Sequence, residues 1–259
     1  MSQRASERGL FGVCALLFAA SAAMTIAWCG SMSSLGEMSL AGGATMSMTF
    51  MRMPGQTWLT SAGSFLGMWL VMMVAMMLPA LAPMLGRYRR TLGATAMTRG
   101  AGLTLVVALA YFLVWCALGA AVFPLGAALA ALEMQAPALA RAAPIAAGAV
   151  MLLAGLLQFS SWKAHRLACC REPAPGAPSA TVGAACRHGL RLGLDCCYCC
   201  GGLTAILLVV GVMDPRVMAV VTAAITLERL APAGARVARA TGGVAVLAGV
   251  LWIARASGL

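Results

Sequence analysis

Four cysteines lie within five consecutive residues of this sequence, directly after Asp195. If this segment is helical, Cys196, Cys199 and Cys200 stand at positions i, i+3 and i+4 and share one face of the helix. Three thiolates on one face can close on a single metal ion, and soft sulfur ligands select Cu(I), Zn or iron–sulfur clusters. A buried cysteine often serves only as a small apolar side chain, but four so close together favour a metal or redox role. Cys197 is included among the candidate metal ligands.

Further cysteines precede this cluster in a basic segment, residues 163–192. Cys170 is a candidate metal ligand there, and Cys169 and Cys186 lie near it in the sequence. Seven of the ten cysteines therefore fall on one side of the apolar segments. We predict this side to be the cytoplasm, where thiols stay reduced.

A second set of sulfur atoms lies in a Met-rich loop, residues 30–61, which we predict to face the outside. Exposed thioethers in a loop rich in Gly and Ser have no core to fill, and thioether sulfur suits Cu(I). The candidate ligands of this loop are Met46, Met48, Met51 and Met53. The alternative is adaptable hydrophobic contact with lipid or with a partner protein.

The apolar segment after the loop carries a stripe of methionines. On a helix, Met72 and Met76 follow one row, and Met73 and Met77 follow the neighbouring row. Two prolines follow in the same segment, and the backbone carbonyls that they free must be satisfied by protein or water. Such a stripe is often simple packing. Its position between an outer Met-rich loop and an inner cysteine cluster nevertheless makes all four residues candidate metal ligands.

The elements that hold these side chains are apolar helices. Of the 259 residues, 62% are hydrophobic and 10% charged, with a mean hydropathy of +0.91, whereas soluble domains carry about a quarter charged residues. These values exclude a soluble enzyme, a disordered tail and a secreted disulfide scaffold. They indicate an all-α polytopic membrane protein with a single integral membrane domain, residues 1–259. Segments of about 20 apolar residues can span a bilayer, and seven spans are predicted: Leu10–Trp28, Gly63–Leu85, Ala101–Phe123, Ala142–Trp162, Cys196–Met213, Arg216–Leu227 and Thr241–Ala254.

The distribution of basic residues predicts the orientation. With a cytoplasmic N-terminus, the inner segments hold fourteen of the eighteen Lys and Arg residues, in keeping with the positive-inside rule. About seven transmembrane helices then leave the C-terminus outside. One Lys against seventeen Arg suggests a bacterial source, so we expect a multi-pass protein of the bacterial plasma (inner) membrane. The stretch Pro124–Ala140, broken by prolines, is expected to be an interfacial outer segment.

Few ionisable side chains fall near the predicted spans. Asp195 and Glu228 are candidates for a functional role because acids within a membrane are expensive; alternatively, they pair with Arg191 and Arg229. Lys163 lies at the end of a span, where it is expected either to form interhelical hydrogen bonds or to extend its amine to the surface. The sequence holds no P-loop, no G-x-G-x-x-G motif and no Ser/His/Asp set. We therefore expect no enzymatic activity.

Several motifs occur in an order that resembles a known bacterial family. They include W-x-x-M-x-x-A-M-M-x-P-x-x-x-P-M from Trp69 to Met84, followed by QFSSWK, CREP, GVMD and LERLAP. From Met46 to Gly249, the chain resembles the predicted metal-binding integral membrane proteins. The resemblance implies a membrane protein that binds a metal ion.

The cysteine motif of that family, C-x-G-C-C-W, falls on the cysteine cluster of this chain. The resemblance implies that Cys196, Cys199 and Cys200 are the metal ligands. This sequence departs from the family pattern in having Tyr198 where Gly is usual and Gly201 where Trp is usual.

These observations favour a membrane protein that handles a soft metal ion, most of all Cu(I), with Zn as the alternative metal. The Met-rich loop would collect the ion, the methionine stripe would line its passage and the cysteine cluster would hold it inside. The expected partners are the lipid bilayer, the metal ion and a metallochaperone or assembly partner. Nucleic acid is not expected, because the basic residues lie in short clusters between apolar runs.

Two other functions are compatible with the same residues. Cys196–Cys199 and Cys197–Cys200 both have the C-x-x-C spacing of dithiol exchange, which would suit a transmembrane thiol–disulfide electron carrier. Such a carrier needs an outer dithiol, and Cys29 alone lies near the predicted outer surface. The third possibility is a structural or assembly subunit whose cysteine cluster holds Zn or nothing.

Overall fold

The protein is a bundle of helices, seen here in a computed structural model that describes residues 2–33, 38–39, 45–46, 57–92, 97–171, 181–212 and 214–258. Two short strands, β1 and β2, pair antiparallel, with Met38 opposite Met46. In chain order the elements are α1 (Ser2–Ser33), β1 (Met38–Ser39), β2 (Thr45–Met46), α2 (Trp58–Thr91), α3 (Met97–Gln135), α4 (Pro137–Leu157), α5 (Ser161–Arg171), α6 (Val182–Val210), α7 (Pro215–Leu230) and α8 (Gly234–Ala256).

Six of these helices, α1, α2, α3, α4, α6 and α8, are long and apolar enough to cross a membrane. Large apolar side chains cover their outer surfaces; on α3, for example, Leu105, Leu109 and Leu113 form an exposed row at four-residue spacing. These features are compatible with a multi-pass membrane protein. The sixth predicted span lies within α7, which has 16 residues and is therefore only about 24 Å long.

The most deeply buried helix is α2, which packs against α1, α3 and α7. Its N-terminal half meets α3 through Trp69, whose indole Nε1 donates to the carbonyl oxygen of Trp115 at 2.9 Å. Near its C-terminal end, Arg90 pairs with Glu7 of α1 at 3.2 Å. Phe65 of α2 packs on Phe123 of α3, with 5.3 Å between ring centroids, and Gly86 of α2 approaches Phe11 of α1. Residue numbers therefore run in opposite directions across both contacts, and α2 is antiparallel to α1 and α3.

Glycines bring the remaining helices close together. A Cβ on Gly189 or Gly193 of α6 would collide with the backbone of α3, near Val107 and Tyr111 respectively. From the first contact to the second, the residue number increases by four in both helices, so α6 runs parallel to α3.

A second glycine seam joins α4 and α8. A Cβ on Gly155 would lie 2.9 Å from the Gly242 carbonyl oxygen, and a Cβ on Gly249 would lie 2.9 Å from that of Gly148. From one contact to the other, the residue number rises in α4 and falls in α8, so these two helices are antiparallel. Small residues that let backbones approach closely are typical of helix packing in membranes.

Two helices are longer than the apolar segments that predicted them. The helix that carries the cysteine cluster begins at Val182, 14 residues before Cys196, because the polar residues before the cluster are compatible with a helix that extends beyond its apolar segment. The segment after Pro124 is not a separate interfacial piece, since α3 continues through this proline to Gln135. A proline removes one backbone hydrogen bond, and the apolar residues around it keep the helix intact.

Candidate metal centre

The cysteine cluster lies at the middle of α6 and is buried. Cys196, Cys199 and Cys200 are each at most 2% exposed, whereas Cys197 is half-buried. This difference follows from the helical repeat, which places positions i, i+3 and i+4 on one face. The Cys196 Sγ lies 3.8 Å from the Cys200 Sγ and 3.8 Å from the Met77 Sδ.

A cysteine from another helix extends the cluster. Cys170 on α5 is buried, and its thiol donates to the Asp195 carbonyl oxygen at 3.4 Å. Cys199 lies on the same buried face of α6 as Cys196 and Cys200. A line of buried sulfur atoms therefore leads from Met77 on α2, through α6, to Cys170 on α5.

Two hydrogen-bond donors converge on the Cys196 sulfur. The Tyr111 hydroxyl of α3 donates to it at 2.9 Å, and the Arg229 Nη1 of α7 donates at 3.0 Å. The other terminal nitrogen of Arg229 lies 3.1 Å from the Met84 Sδ. Donors to sulfur, one of them cationic, stabilise a thiolate over a thiol. Cys196 is therefore placed to act as an anionic ligand.

A buried ion pair lies beside the sulfur atoms. The Lys163 amine is 2.7 Å from the Glu228 Oε2 and also donates to the Cys199 carbonyl oxygen. The Glu228 Oε1 accepts from Gln158 Nε2 at 3.1 Å and from the Thr241 hydroxyl at 2.7 Å. Five consecutive helices, α4 to α8, thus meet at or next to this one carboxylate.

The ionisable residues differ from the sequence-based expectations. Lys163 is only 4% exposed and does not extend to the surface, because a carboxylate from α7 lies within reach. Burial lowers the pKa of Lys163, but Cys199 and Glu228 raise it, and the net shift is upward. Glu228 pairs with Lys163 rather than with Arg229. Asp195 lies 3.8 Å from Arg166, which takes the place expected for Arg191.

A partly exposed rim surrounds this ion pair of Asp195 and Arg166. The Arg166 guanidinium lies over the rings of Trp162 and Tyr198, with 5.6 and 4.9 Å to their centroids. Trp and Tyr concentrate at membrane–water interfaces. The rim therefore has the residue composition that is typical of such an interface.

The methionine candidates fall into two groups. The stripe on α2 is fully buried and consists of Met72, Met73, Met76 and Met77. Met77 contacts the cysteine cluster, and the other three pack in the core. Met46 lies in β2, of which only the backbone is described. Met48, Met51 and Met53 lie outside the described residues.

The sulfur spacing suits a shared metal ion. Two thiolates bonded to one tetrahedral ion at about 2.3 Å each lie about 3.8 Å apart, which is the separation of Cys196 and Cys200. With Met77 they form a set of two thiols and one thioether. All nine cysteines that the structure describes carry free thiols. Within the described part of the chain, no three Cys, His, Asp or Glu side chains form a group that could hold a metal ion.

Three residues of this centre were not among the sequence-based candidates. Tyr111 is the lone tyrosine of an apolar helix, and Lys163 is the single lysine of the chain. From the sequence, Arg229 is expected only as a partner for the preceding glutamate. Each is a polar residue in or beside an apolar segment, which is the signal that could have found them.

A family model described as PpoB2, copper chaperone, matches residues 66–252 of the chain. The matched region begins within α2 and ends within α8, so it includes every cysteine and both thioethers of the centre described above. No curated protein and no solved structure matches the chain.

Proposed function

The chain belongs to the PpoB2 copper chaperone family, and from this premise we propose that it binds Cu(I) within a membrane and passes it to a protein partner. The proposed ligands are the thiols of Cys196 and Cys200 and the thioether of Met77, with Cys199, on the same buried face of α6, as the next thiol to receive the ion. The observation that carries the proposal is the position of the Cys196 sulfur, 3.8 Å from both a second thiol and a thioether. Thiolate and thioether ligands select soft metal ions such as Cu(I). A site made of sulfur atoms would also accept Zn.

The line of sulfur atoms supports transfer rather than storage. It leads from α2 to Cys170 on α5, an 11-residue helix that is too short to span a membrane. An ion held by Cys196 and Cys200 can pass to Cys199 and then to Cys170 by exchange of one ligand at a time. The recipient would be a metallochaperone or a protein under assembly. The proposed role is binding and delivery, with no catalysed reaction.

The helix directions support the predicted topology of seven crossings. α1, α2 and α3 alternate in direction, α6 is parallel to α3, and α8 is antiparallel to α4. This pattern is self-consistent if α7 also crosses, in the direction opposite to α6. The cysteine cluster then lies toward the end of the bundle that carries Arg87, Arg89, Arg187 and Arg191, which by the positive-inside rule faces the cytoplasm. We propose the bacterial plasma membrane as the location, with the Met-rich loop outside as the collector of copper.

The test is a measurement of bound metal. The protein is purified without oxygen in mild detergent, loaded with Cu(I), and compared with the Cys196/Cys199/Cys200→Ser variant by elemental analysis. The matched control replaces three cysteines outside the centre, Cys14, Cys29 and Cys116, with Ser. We expect about one Cu per chain in the wild type and in the control, and loss of tight binding in the first variant.

The other outcomes separate the alternatives. Equal copper in both variants would overturn the ligand assignment. Zinc in place of copper, lost with the cluster cysteines, would favour a structural or assembly role. No metal in any of the proteins would favour the dithiol electron carrier, and trapping of a mixed disulfide with an alkylating agent would be the next measurement.

A further inference from the structure

Arg229 is a buried cation whose partners are sulfur atoms. Its side chain is almost fully enclosed, and its terminal nitrogens donate to the Cys196 thiol and the Met84 thioether. Within the described part of the chain, no carboxylate lies within 4 Å of this guanidinium, because Glu228 is directed to Lys163. A buried charge without an ionic partner is unfavourable. Its presence next to the proposed copper ligands therefore calls for an explanation.

The charges of the centre cancel except for this one. Lys163 and Glu228 neutralise each other inside the bundle, and Asp195 and Arg166 do so at the rim. Arg229 remains, with a charge of +1. When two thiols lose their protons and bind one Cu(I), the metal and its ligands together carry −1, and Arg229 makes the whole centre neutral. When the same two thiolates bind a divalent ion, the metal and its ligands together are neutral. The charge of Arg229 is then not compensated, and the centre has a net buried charge of +1.

We propose that Arg229 is the residue that determines the valence of the bound ion: its guanidinium favours monovalent Cu(I) over divalent ions such as Zn(II) at the Cys196 and Cys200 thiolates. This inference rests on the proposed copper-binding function and adds to it the basis of metal selectivity. Sulfur ligands alone accept both metals, so the discrimination must come from something else in the centre. The fixed positive charge supplies it, because it repels a divalent ion more strongly than a monovalent one.

The size of the effect follows from the distance. The Arg229 Nη1 is 3.0 Å from the Cys196 sulfur, so an ion on that sulfur would lie roughly 5 Å from the guanidinium when metal–sulfur bonds are about 2.3 Å long. One additional unit charge at that distance, with an effective dielectric constant of about 20, changes the ratio of the two affinities by roughly 300-fold.

The experiment measures dissociation constants for Cu(I) and Zn(II) by chelator competition, without oxygen, on the full chain in detergent. In Arg229→Gln, the preference for Cu(I) over Zn(II) should fall by roughly 300-fold. In Arg229→Lys, which keeps the charge, it should stay within about tenfold of the wild type. Arg216→Gln, which removes an exposed guanidinium at the opposite end of the same helix, is the matched control and should leave the preference unchanged. Arg229→Met makes the same change in charge and replaces Arg229→Gln if that protein does not fold.

Two results would overturn the inference. One is a folded charge-free variant that binds both metals with the wild-type preference. The other is an Arg229→Lys protein that loses the preference as fully as Arg229→Gln, since geometry rather than charge would then be responsible. Failure of the proposed function itself is distinguishable, because in that case the wild-type protein would not bind Cu(I) at all.

Discussion

Replacement of Glu228 by Gln tests the buried ion pair at the centre of the bundle. Glu228 is only 1% exposed, and its Oε2 lies 2.7 Å from the Lys163 amine. Glu228→Gln keeps the shape of the side chain and an oxygen that can accept from Thr241, but it leaves the charge of Lys163 without a counter-ion. Removal of one partner of a buried pair costs about 3–5 kcal/mol. For a chain of this size we expect the midpoint of thermal unfolding to fall by roughly ten degrees.

The assay is thermal unfolding in detergent, followed by circular dichroism, on a double-mutant cycle. Lys163→Met should be as damaging as Glu228→Gln, whereas the double variant should recover most of the loss, because it buries no unpaired charge. Glu7→Gln is the control, since Glu7 forms a partly exposed pair with Arg90, and surface pairs are worth about 0–1 kcal/mol. The reasoning is refuted if Glu228→Gln unfolds at the same temperature as the wild type, or if the double variant is no more stable than either single variant.

Two further substitutions test the packing and the thioether ligand. Gly155→Val should force α4 away from α8 and destabilise the protein by about 3 kcal/mol or more. Gly243→Val, on a face of α8 with open space around it, should change stability by less than about 1 kcal/mol. Equal thermal stability of the two variants would contradict the close packing of α4 and α8 at Gly155. Met77→Leu should cost less than about 1.5 kcal/mol in stability yet weaken Cu(I) binding by roughly tenfold, the lower end of the effects of groups around a metal. Met73→Leu, equally buried, should not weaken it, and parallel losses in the chelator titration would argue against a specific thioether ligand.

The sequence predicts the helices well because their signal is local. Apolar runs of sufficient length identify six helices that are able to cross a membrane, and the spacing of Cys196, Cys199 and Cys200 predicts that they share a buried face. Helix ends are predicted less well. Polar residues such as Arg191 and Asp195 mark the end of an apolar run, but a helix can continue beyond such a run, and α6 does so for 14 residues before the first cysteine of the cluster.

The polar part of the centre could not be predicted from local patterns. Glu228 and Lys163 are 65 positions apart, so their pairing depends on how α5 and α7 pack against α6. From the sequence alone, the adjacent Arg229 is the simplest partner for Glu228. Side chains of consecutive residues in a helix point about 100° apart. The Glu228 carboxylate therefore contacts Lys163, whereas the Arg229 guanidinium contacts the sulfur atoms.

The same interactions that order the helices also prepare the sulfur site. Apolar side chains alone do not drive helices together in lipid, so packing and buried hydrogen bonds must fix their arrangement. Here the hydroxyl of Tyr111, the carboxylate of Glu228 and the guanidinium of Arg229 each join different helices next to the cysteines. Replacing such a network with apolar residues is often neutral or stabilising in other proteins. Its presence is therefore better explained by what the charges do for a bound ion than by stability, and an apolar variant that stays folded but loses its metal preference would separate the two roles.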